Sequence, residues 1–252
     1  MRVVHVAETV FGGVGSYLDE IGRYQAQSLG SQNVFFVIPQ GGTGMLPSVD
    51  GAQIVEFPYR GRTPAGLAAF GLAIARAVGR IDPDIVHLHS TFAGLVGRIV
   101  TAVRPHKARL IYCPHGWAFG MEVAASRKTL YAWCERLLAR TTDAIIVNSA
   151  SERMLALRHG IPSGKVQVIS NGVAAAPSGS QAMLRAPSIH LAFIGRHDRQ
   201  KGLDILLDEL GQPGCAHIHL HVVGRSVACG TSPLIGRALR NVTFHGWLSR
   251  GE

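Results

Sequence analysis

Residues 2–18 read RVVHVAETVFGGVGSYL: a short β-branched run, a glycine turn, then the start of a longer amphipathic stretch. The run 2–7 has the length and composition of a buried strand. Gly12, Gly13 and Gly15 allow a tight turn that brings backbone N–H groups close to a ligand at a helix N-terminus, where the helix dipole favours negative charge. A strand, a glycine turn and a helix in that order open a parallel α/β sheet. A glycine turn that merely packs is the plainer alternative.

The same unit recurs along the chain. Apolar runs rich in Val, Ile and Phe lie at 34–38, 54–57, 84–88, 109–113, 144–148 and 166–169, and most are separated by stretches long enough for a helix, at 14–29, 65–80, 91–103 and 125–141. This alternation predicts a doubly wound parallel sheet. Ser149 followed by Glu152 is a capping-box pattern and predicts a helix from there to about 159. The small-residue, proline-containing segment 176–189 reads as a linker between a domain at 1–175 and a second, partial one at 190–252. That second unit restarts the alternation with strands at 190–195, 218–223 and 242–245 and a helix at 203–210, whose Leu203, Leu206, Leu207 and Leu210 share a face. With three strands it makes about half of a doubly wound domain, so an unpaired edge and an under-covered apolar face are expected.

Composition excludes several classes. Nearly half the residues are apolar and 16% are charged, which suits a packed α/β protein rather than a disordered chain. The net charge is +9, but residues 1–176 hold 17 Lys/Arg against 11 Asp/Glu and residues 177–252 hold 8 against 5, so there is no basic arm. With no helix-turn-helix, zinc-finger or basic-region pattern, nucleic acid is not an expected partner. Cys113, Cys134, Cys215 and Cys229 are widely spaced and read as buried thiols of a reducing compartment. MRVVHVAETV runs straight into a strand pattern rather than a secretory signal, and Ala65–Ala75 is too short to span a bilayer. A cytoplasmic protein is expected, with a peripheral contact to the inner membrane face left open.

The glycine turn is not a dinucleotide fingerprint. After Gly13 and Gly15, the third glycine position is Leu18, and the second strand runs into Pro39 and Gln40 instead of an acid. A Walker lysine is absent too. His115, in CPHGW (113–117), follows the strand 109–113 at the edge where open sheets bind ligands, either as a hydrogen-bonding group for a polar substrate or as a satisfied turn histidine. Asn171, in SNGV, sits at the same end of the strand 166–169, where an ordinary Asn-Gly turn is as good a reading. In FIGRHDRQKGLD (193–204), Gly195 and Gly202 fence Arg196, Arg199 and Lys201, a loop that either binds an anion or is only a basic turn.

Taken in order, GGVGS, DIVHLHS, PHG, DAIIVNSASE, VISNGV, the G-R-x4-K-G loop, LHVVG and VTFHGWLSRGE resemble a retaining glycosyltransferase of the GT-B fold, family 4 type, over essentially the whole chain. The resemblance implies two Rossmann-like domains and a nucleoside-diphosphate sugar as co-substrate, with no metal or other cofactor. It assigns Arg196 and Lys201 to the donor diphosphate, Gly195 and Gly202 to the loop's close approach, His115 to the donor sugar, and Gly12, Gly13 and Asn171 to the donor cleft. Fixed cations at the departing β-phosphate suit the chemistry, since charge builds there as the sugar bond stretches. Arg199 has no such role. The acceptor implied is a glycan or a polyprenyl- or lipid-linked molecule.

One departure is plain. The family's acidic motif, a Glu followed seven residues later by a second, does not occur before the sequence ends at Arg250-Gly251-Glu252. The expectation that follows is a truncated chain with a half-built donor site and weak or no turnover of its own. The rivals are a fragment that only binds nucleotide or acceptor and, less favoured, a dinucleotide-dependent oxidoreductase. His217, His219 and His221 alternate and would share a strand face, but no carboxylate or cysteine joins them, so a metal site is not expected. The helix 127–140 mixes Arg127, Lys128, Arg136 and Arg140 with Leu130, Tyr131, Trp133, Leu137 and Leu138. It suits an anionic leaflet, although a core-packed helix with a solvated basic side is the reading the sequence favours.

Overall fold

The apolar runs pair as parallel strands. The computed structural model describes residues 1–103, 106–172, 189–197, 201–225 and 240–248, and the chain divides into two units, Met1–Ala174 and Ala175–Glu252. The expected linker, apart from Ile189, lies outside the described residues, as do Arg199, Cys229 and the segment 249–252.

In the first unit, β1 (Val3–Ala7), β2 (Val34–Pro39), β3 (Ile54–Phe57), β4 (Ile85–His89), β5 (Arg109–Cys113), β6 (Ala144–Val147) and β7 (Val166–Val168) form one sheet in the order β3-β2-β1-β4-β5-β6-β7, parallel throughout. Alternation divides β1 and β2 between two cores. Val4, Val6, Val86, Leu88, Leu110 and Tyr112 face α2 (Pro64–Ile81), α3 (Thr91–Val103), α4 (Ala125–Leu138) and α5 (Ala150–Arg158). On the other face, Ala7, Val34, Phe36 and Ile38 pack on Leu18 of α1 (Gly13–Leu29). Each fully buried side chain of this size contributes about 1.5–3 kcal/mol.

Local sequence sets the helix boundaries. Thr63 caps α2 by accepting from the Gly66 N–H at 3.1 Å, and Pro64 follows at the first helical position. α2 is 18 residues long with a mean hydropathy of 1.3, so it is long and apolar enough to cross a bilayer, contrary to the shorter run read in the sequence. Yet its Phe70, Ile74, Ala77 and Ile81 are core residues. At α5, Ser149 Oγ accepts from the Glu152 N–H at 3.2 Å, while the Glu152 carboxylate reaches back to the Asn148 N–H at 3.0 Å, one residue before the cap.

α3 and α4 are tied by a buried ion pair. Arg98 Nη2 donates to Glu135 at 2.8 Å, its Nε to the Gly94 carbonyl at 2.7 Å, and its guanidinium lies 4.0 Å from the Tyr112 ring centre. Tyr112 donates to the other Glu135 oxygen at 3.2 Å. This pair decides which face of α4 turns inward. Ala132, Glu135 and the following Ala139 are buried, which leaves Leu130, Trp133 and Leu137 exposed. The helix is thus core-packed through Ala132 with Arg127, Arg136 and Arg140 solvated, but its Leu130, Trp133 and Leu137 lie on the outward side instead of in the core.

In the second unit, β8 (Ile189–Ile194), β9 (Ile218–Val223) and β10 (Val242–Gly246) form a parallel sheet in the order β10-β9-β8. Leu203, Leu207 and Leu210 of α6 (Leu203–Leu210) pack on Leu220 and Val222, with Leu206 only partly buried. Register carries His190, His219 and His221 to the opposite face, where His245 joins them. That face is histidine-rich, with Ala192 and Ile194 exposed beside the imidazoles, while Ile189 and Leu191 on the α6 side are the exposed apolar positions of an under-covered face. His217 precedes β9 and is not part of the row. The thiols are also less buried than expected: Cys113 is buried, but Cys134 and Cys215 are only partly so.

Removing one partner of the Arg98–Glu135 pair strands a buried charge. Glu135→Ala is expected to cost about 3–5 kcal/mol in urea unfolding, whereas Arg98→Leu with Glu135→Leu costs much less. Equal losses would show that the pair carries no such penalty.

Candidate functional site

Strand order reverses between β1 and β4, and in open α/β sheets the ligand crevice lies outside the strand ends at such a point. The loops leaving β1, β4 and β5 all meet that edge. Gly12 has φ 78° and ψ −144°, a conformation open essentially to glycine alone, and it starts α1 with no side-chain cap and no acid in the first turn. The first N–H groups of α1 therefore keep an unbalanced partial positive charge. A Cβ on Gly12 or Gly13 would meet nothing within 4 Å, so the space beside the turn is open. Gly15 differs: its Cβ would sit 2.0 Å from the Val10 carbonyl oxygen, so glycine is required there for close packing of the helix on its own loop.

Two non-glycine residues with positive φ stand side by side at this edge, Ser90 after β4 (φ 71°) and His115 after β5 (φ 52°). The Ser90 N–H donates to the Cys113 carbonyl at 2.8 Å, which ties the two turns together. Strained backbone of this kind persists where surrounding structure over-determines it, and it gathers at functional sites. Tyr17, one turn into α1, presents its ring edge-on to His115 with centroids 4.8 Å apart. Gly12, Gly13 and His115 thus converge on one edge. Asn171 does not join them, since it follows β7, two strands beyond β5, and its side chain is exposed.

Behind His115 lies a row of imidazoles that the motif reading passed over. His115 Nε2 is 3.1 Å from His89 Nδ1, His89 Nε2 is 3.0 Å from His5 Nδ1, and His5 Nε2 is 2.7 Å from Gln25 Oε1 on α1. His5, His87 and His89 are buried. Burial drives His5 and His115 from the ordinary 6.5 down to about 4. His87 and His89 are held well below 6.5 by burial first and by neighbouring imidazoles second. All four are neutral near pH 7. The signal was present: HVA and HLHS place His5, His87 and His89 on the same strand parity, but only the β1–β4 pairing brings them together.

Nitrogens of His5, His87 and His89 lie within 4.8 Å of one another, a spacing a metal could accept. However, His5 and His89 already bond each other, His5 is further held by Gln25, and no carboxylate completes that set. The nearby Cys113 thiol, which donates to Asn148 Oδ1 at 3.8 Å, is pushed up to about 12 by burial and is therefore no nucleophile at neutral pH. At the same edge, buried Glu8 accepts from Tyr59 at 2.9 Å and from Arg62 Nε and Nη2 at 3.2 Å, while Arg62 lies 4.4 Å from the Phe92 ring centre. These contacts join the loops after β1 and β3 to the start of α3.

The second unit has its own glycine-lined loop. Gly195 leaves β8 with its N–H bonded to the Val223 carbonyl at 3.0 Å. A Cβ on Gly224 would lie 2.0 Å from the Gly195 carbonyl oxygen, so the turns after β8 and β9 touch backbone to backbone. Arg196 and Lys201 are both exposed, and the Lys201 stem runs past Gly195, with its Cγ 3.9 Å from where a Cβ would be. Gly202, at φ 71°, starts α6 without a side-chain cap. Thus Gly195, Arg196, Lys201 and Gly202 form one loop at an uncapped helix start, although residues 198–200 lie outside the described set.

Two parallel sheets, each with a glycine-lined turn at its strand ends, match the two-sheet GT-B fold of the solved structures the chain resembles. Residues 12–172 match the model of the Glycosyl transferase 4-like domain, and the chain belongs to that family. It is 29% identical over 265 residues to an uncharacterised 41.2 kDa protein in the cps region of Klebsiella pneumoniae, covering all of this chain and 70% of that protein. Over 91 residues it is 31% identical to an Escherichia coli UDP-Gal:alpha-D-GlcNAc-diphosphoundecaprenol alpha-1,3-galactosyltransferase, a stretch that spans 36% of this chain and 23% of that enzyme. Among solved structures, Anabaena HepE in complex with UDP-glucose superposes with a TM-score of 0.76 at 19% identity, over 99% of this chain and 70% of that one.

The depressed histidines carry a pH signature. A histidine whose folded-state pKa is lowered adds stability that is full above the unfolded value and is lost as pH falls through the folded value. Here the window runs from 6.5 down to about 4. The melting temperature is therefore expected to fall steadily from pH 7 to pH 5, and a level profile over that range would show that the imidazoles titrate normally.

Proposed function

We propose that the chain transfers a hexose-type sugar from a nucleoside-diphosphate sugar to a glycan or lipid-linked acceptor, with retention of the anomeric configuration. The observation that carries this reading is the pairing of an uncapped, glycine-started α1 with His115 at the β1/β4 edge, in a chain of the glycosyltransferase 4-like family. In the reaction the bond from the sugar's anomeric carbon to the β-phosphate oxygen breaks, and its electron pair stays on the phosphate. The acceptor hydroxyl attacks from the face the leaving group vacates, and its proton passes to that phosphate oxygen. Arg196 and Lys201 stabilise the charge that builds there, Arg as a planar fork and Lys as a point charge, so the step needs no metal. His115 holds a hydroxyl of the sugar. The HepE structure with UDP-glucose and the named donor of the Escherichia coli relative support a nucleotide-sugar donor.

We place the protein on the cytoplasmic side, against the inner membrane face, when it meets a lipid-linked acceptor. The support is the outward face of α4. Leu130 and Trp133 are each 54% exposed and Leu137 45%, a stripe at helical spacing flanked by exposed Arg127, Arg136 and Arg140. The acceptor of the Escherichia coli relative, a diphosphoundecaprenol-linked sugar, supports a lipid-linked substrate.

Transfer is tested by incubating the purified chain with UDP- and GDP-sugars and an acceptor panel and reading the product anomer by NMR. Retained configuration supports the reading, and an inverted product contradicts it. Lys201→Ala and Arg196→Ala are each expected to slow transfer by about 100-fold or more. If calorimetry shows UDP or GDP binding but no donor is turned over, the binding-only alternative is correct. Sedimentation with anionic vesicles is expected to exceed that with neutral ones, and removing Arg127, Arg136 and Arg140 together should abolish the difference, at about 1 kcal/mol per charge. Equal sedimentation in both would sink the membrane contact.

A further inference from the structure

We propose that Gln25 is a positioning residue: acting through His5 and His89, it fixes which nitrogen of His115 carries the proton, so that His115 offers Nδ1 as an acceptor to a donor-sugar hydroxyl. The inference rests on the reading of His115 as the sugar contact.

The argument begins with proton count. The three rings His5, His89 and His115 are neutral near pH 7 because burial disfavours the imidazolium, so each carries one N–H and one lone pair. The two gaps between them, at 3.0 Å and 3.1 Å, each need one N–H facing one lone pair. Two lone pairs in a gap, or two N–H groups, would repel and leave buried groups unsatisfied. The row therefore has only two consistent states, with every N–H pointing towards Gln25 or every N–H pointing towards the cleft.

Gln25 selects between them. Its carbonyl oxygen lies 2.7 Å from His5 Nε2 and can only accept, so His5 carries its proton on Nε2 and accepts on Nδ1. His89 then donates from Nε2 to His5 and accepts on Nδ1, and His115 donates from Nε2 to His89. What remains at the far end is the Nδ1 lone pair of His115. The Tyr17 ring edge and the His89 ring pack against His115 and hold its ring in place. Were the Gln25 amide turned over, its NH2 would donate to His5, the row would reverse, and His115 would present an N–H instead. A residue on α1, remote from the strand ends, thus sets the hydrogen-bonding sense of the group in the cleft.

Long-range 1H–15N correlation of histidine-labelled protein reads the tautomer of each ring directly. In the unsubstituted chain His115 is expected to be protonated on Nε2, and an Nδ1–H spectrum overturns the proposal at once. Gln25→Glu keeps the acceptor and should keep that tautomer, whereas Gln25→Leu removes it and should give a mixture. With nucleotide sugar and acceptor, Gln25→Leu is expected to lose about 5- to 20-fold in kcat/KM, the scale of one buried hydrogen bond. Its affinity for free UDP should be unchanged, and Gln25→Glu should restore kcat/KM. An unchanged His115 tautomer in Gln25→Leu contradicts the proposal, even where transfer is intact. The expected tautomer shift with no transfer from any nucleotide sugar, even by the unsubstituted chain, would count instead against the functional reading and leave the relay standing. Should Gln25→Leu fail to fold, the spectra of the unsubstituted chain and Gln25→Glu still decide the direction of the row.

Discussion

A neutral imidazole buried in a sheet must find its hydrogen-bond partners inside the protein, and much of the first unit's site follows from that constraint. β1 contributes His5 and β4 contributes His87 and His89 at positions where the flanking strands β2 and β5 carry Phe36, Ile111 and Cys113. An unpaired buried nitrogen costs about 1–3 kcal/mol, so the rings are used in sequence, each satisfying the next. His87 Nε2 is the exception, buried and without a partner. The row emerges at His115, beside the open helix start of α1, where strand order reverses. Sheet topology and imidazole chemistry therefore act on the same atoms. Parallel pairing of β1 with β4 is what sets His5 opposite His87, and α1 closes the row with Gln25.

The architecture was largely readable because its signals are local. Each apolar run ended in a turn rich in glycine or polar residues, and the observed strands and helices of both units begin and end within a few residues of the expected positions. The turn Gly12–Gly13 and His115 were also readable as site candidates, being residues of distinctive chemistry at strand ends. The rest depended on what alternation alone does not reveal. His5, His87 and His89 have the parity of apolar residues, and nothing in a single strand tells which other strand will lie beside it. Gly15 looked like one more turn residue, whereas it packs so close to the Val10 carbonyl oxygen that a Cβ there would sit 2.0 Å from it.

α4 shows the same limit from another side. Its sequence contains two amphipathic faces, and a helical pattern does not say which will meet the protein. The deciding contact is remote in sequence: Arg98 on α3 is fully buried and needs the Glu135 carboxylate, so the Ala132–Glu135 side turns inward and the Leu130–Trp133–Leu137 stripe turns out. A charge buried in one helix thereby creates an apolar surface on the next. The second unit repeats the theme on a smaller scale, with His190, His221 and His245 linked across three strands at 3.1 Å and 3.0 Å. That row reached the sequence reading as HIHLH, but its first histidine falls before the strand and its true partners come from β8 and β10.

The most direct test of this account is the titration of the histidine ring resonances of the purified chain from pH 8 to pH 4. His5, His89 and His115 are expected to stay neutral across the range where free histidine gains its proton, with His5 and His115 beginning to titrate only as pH approaches about 4. Their protonation near pH 6.5, in a chain that remains folded, would mean that the rings are solvated and that the buried row does not organise the site.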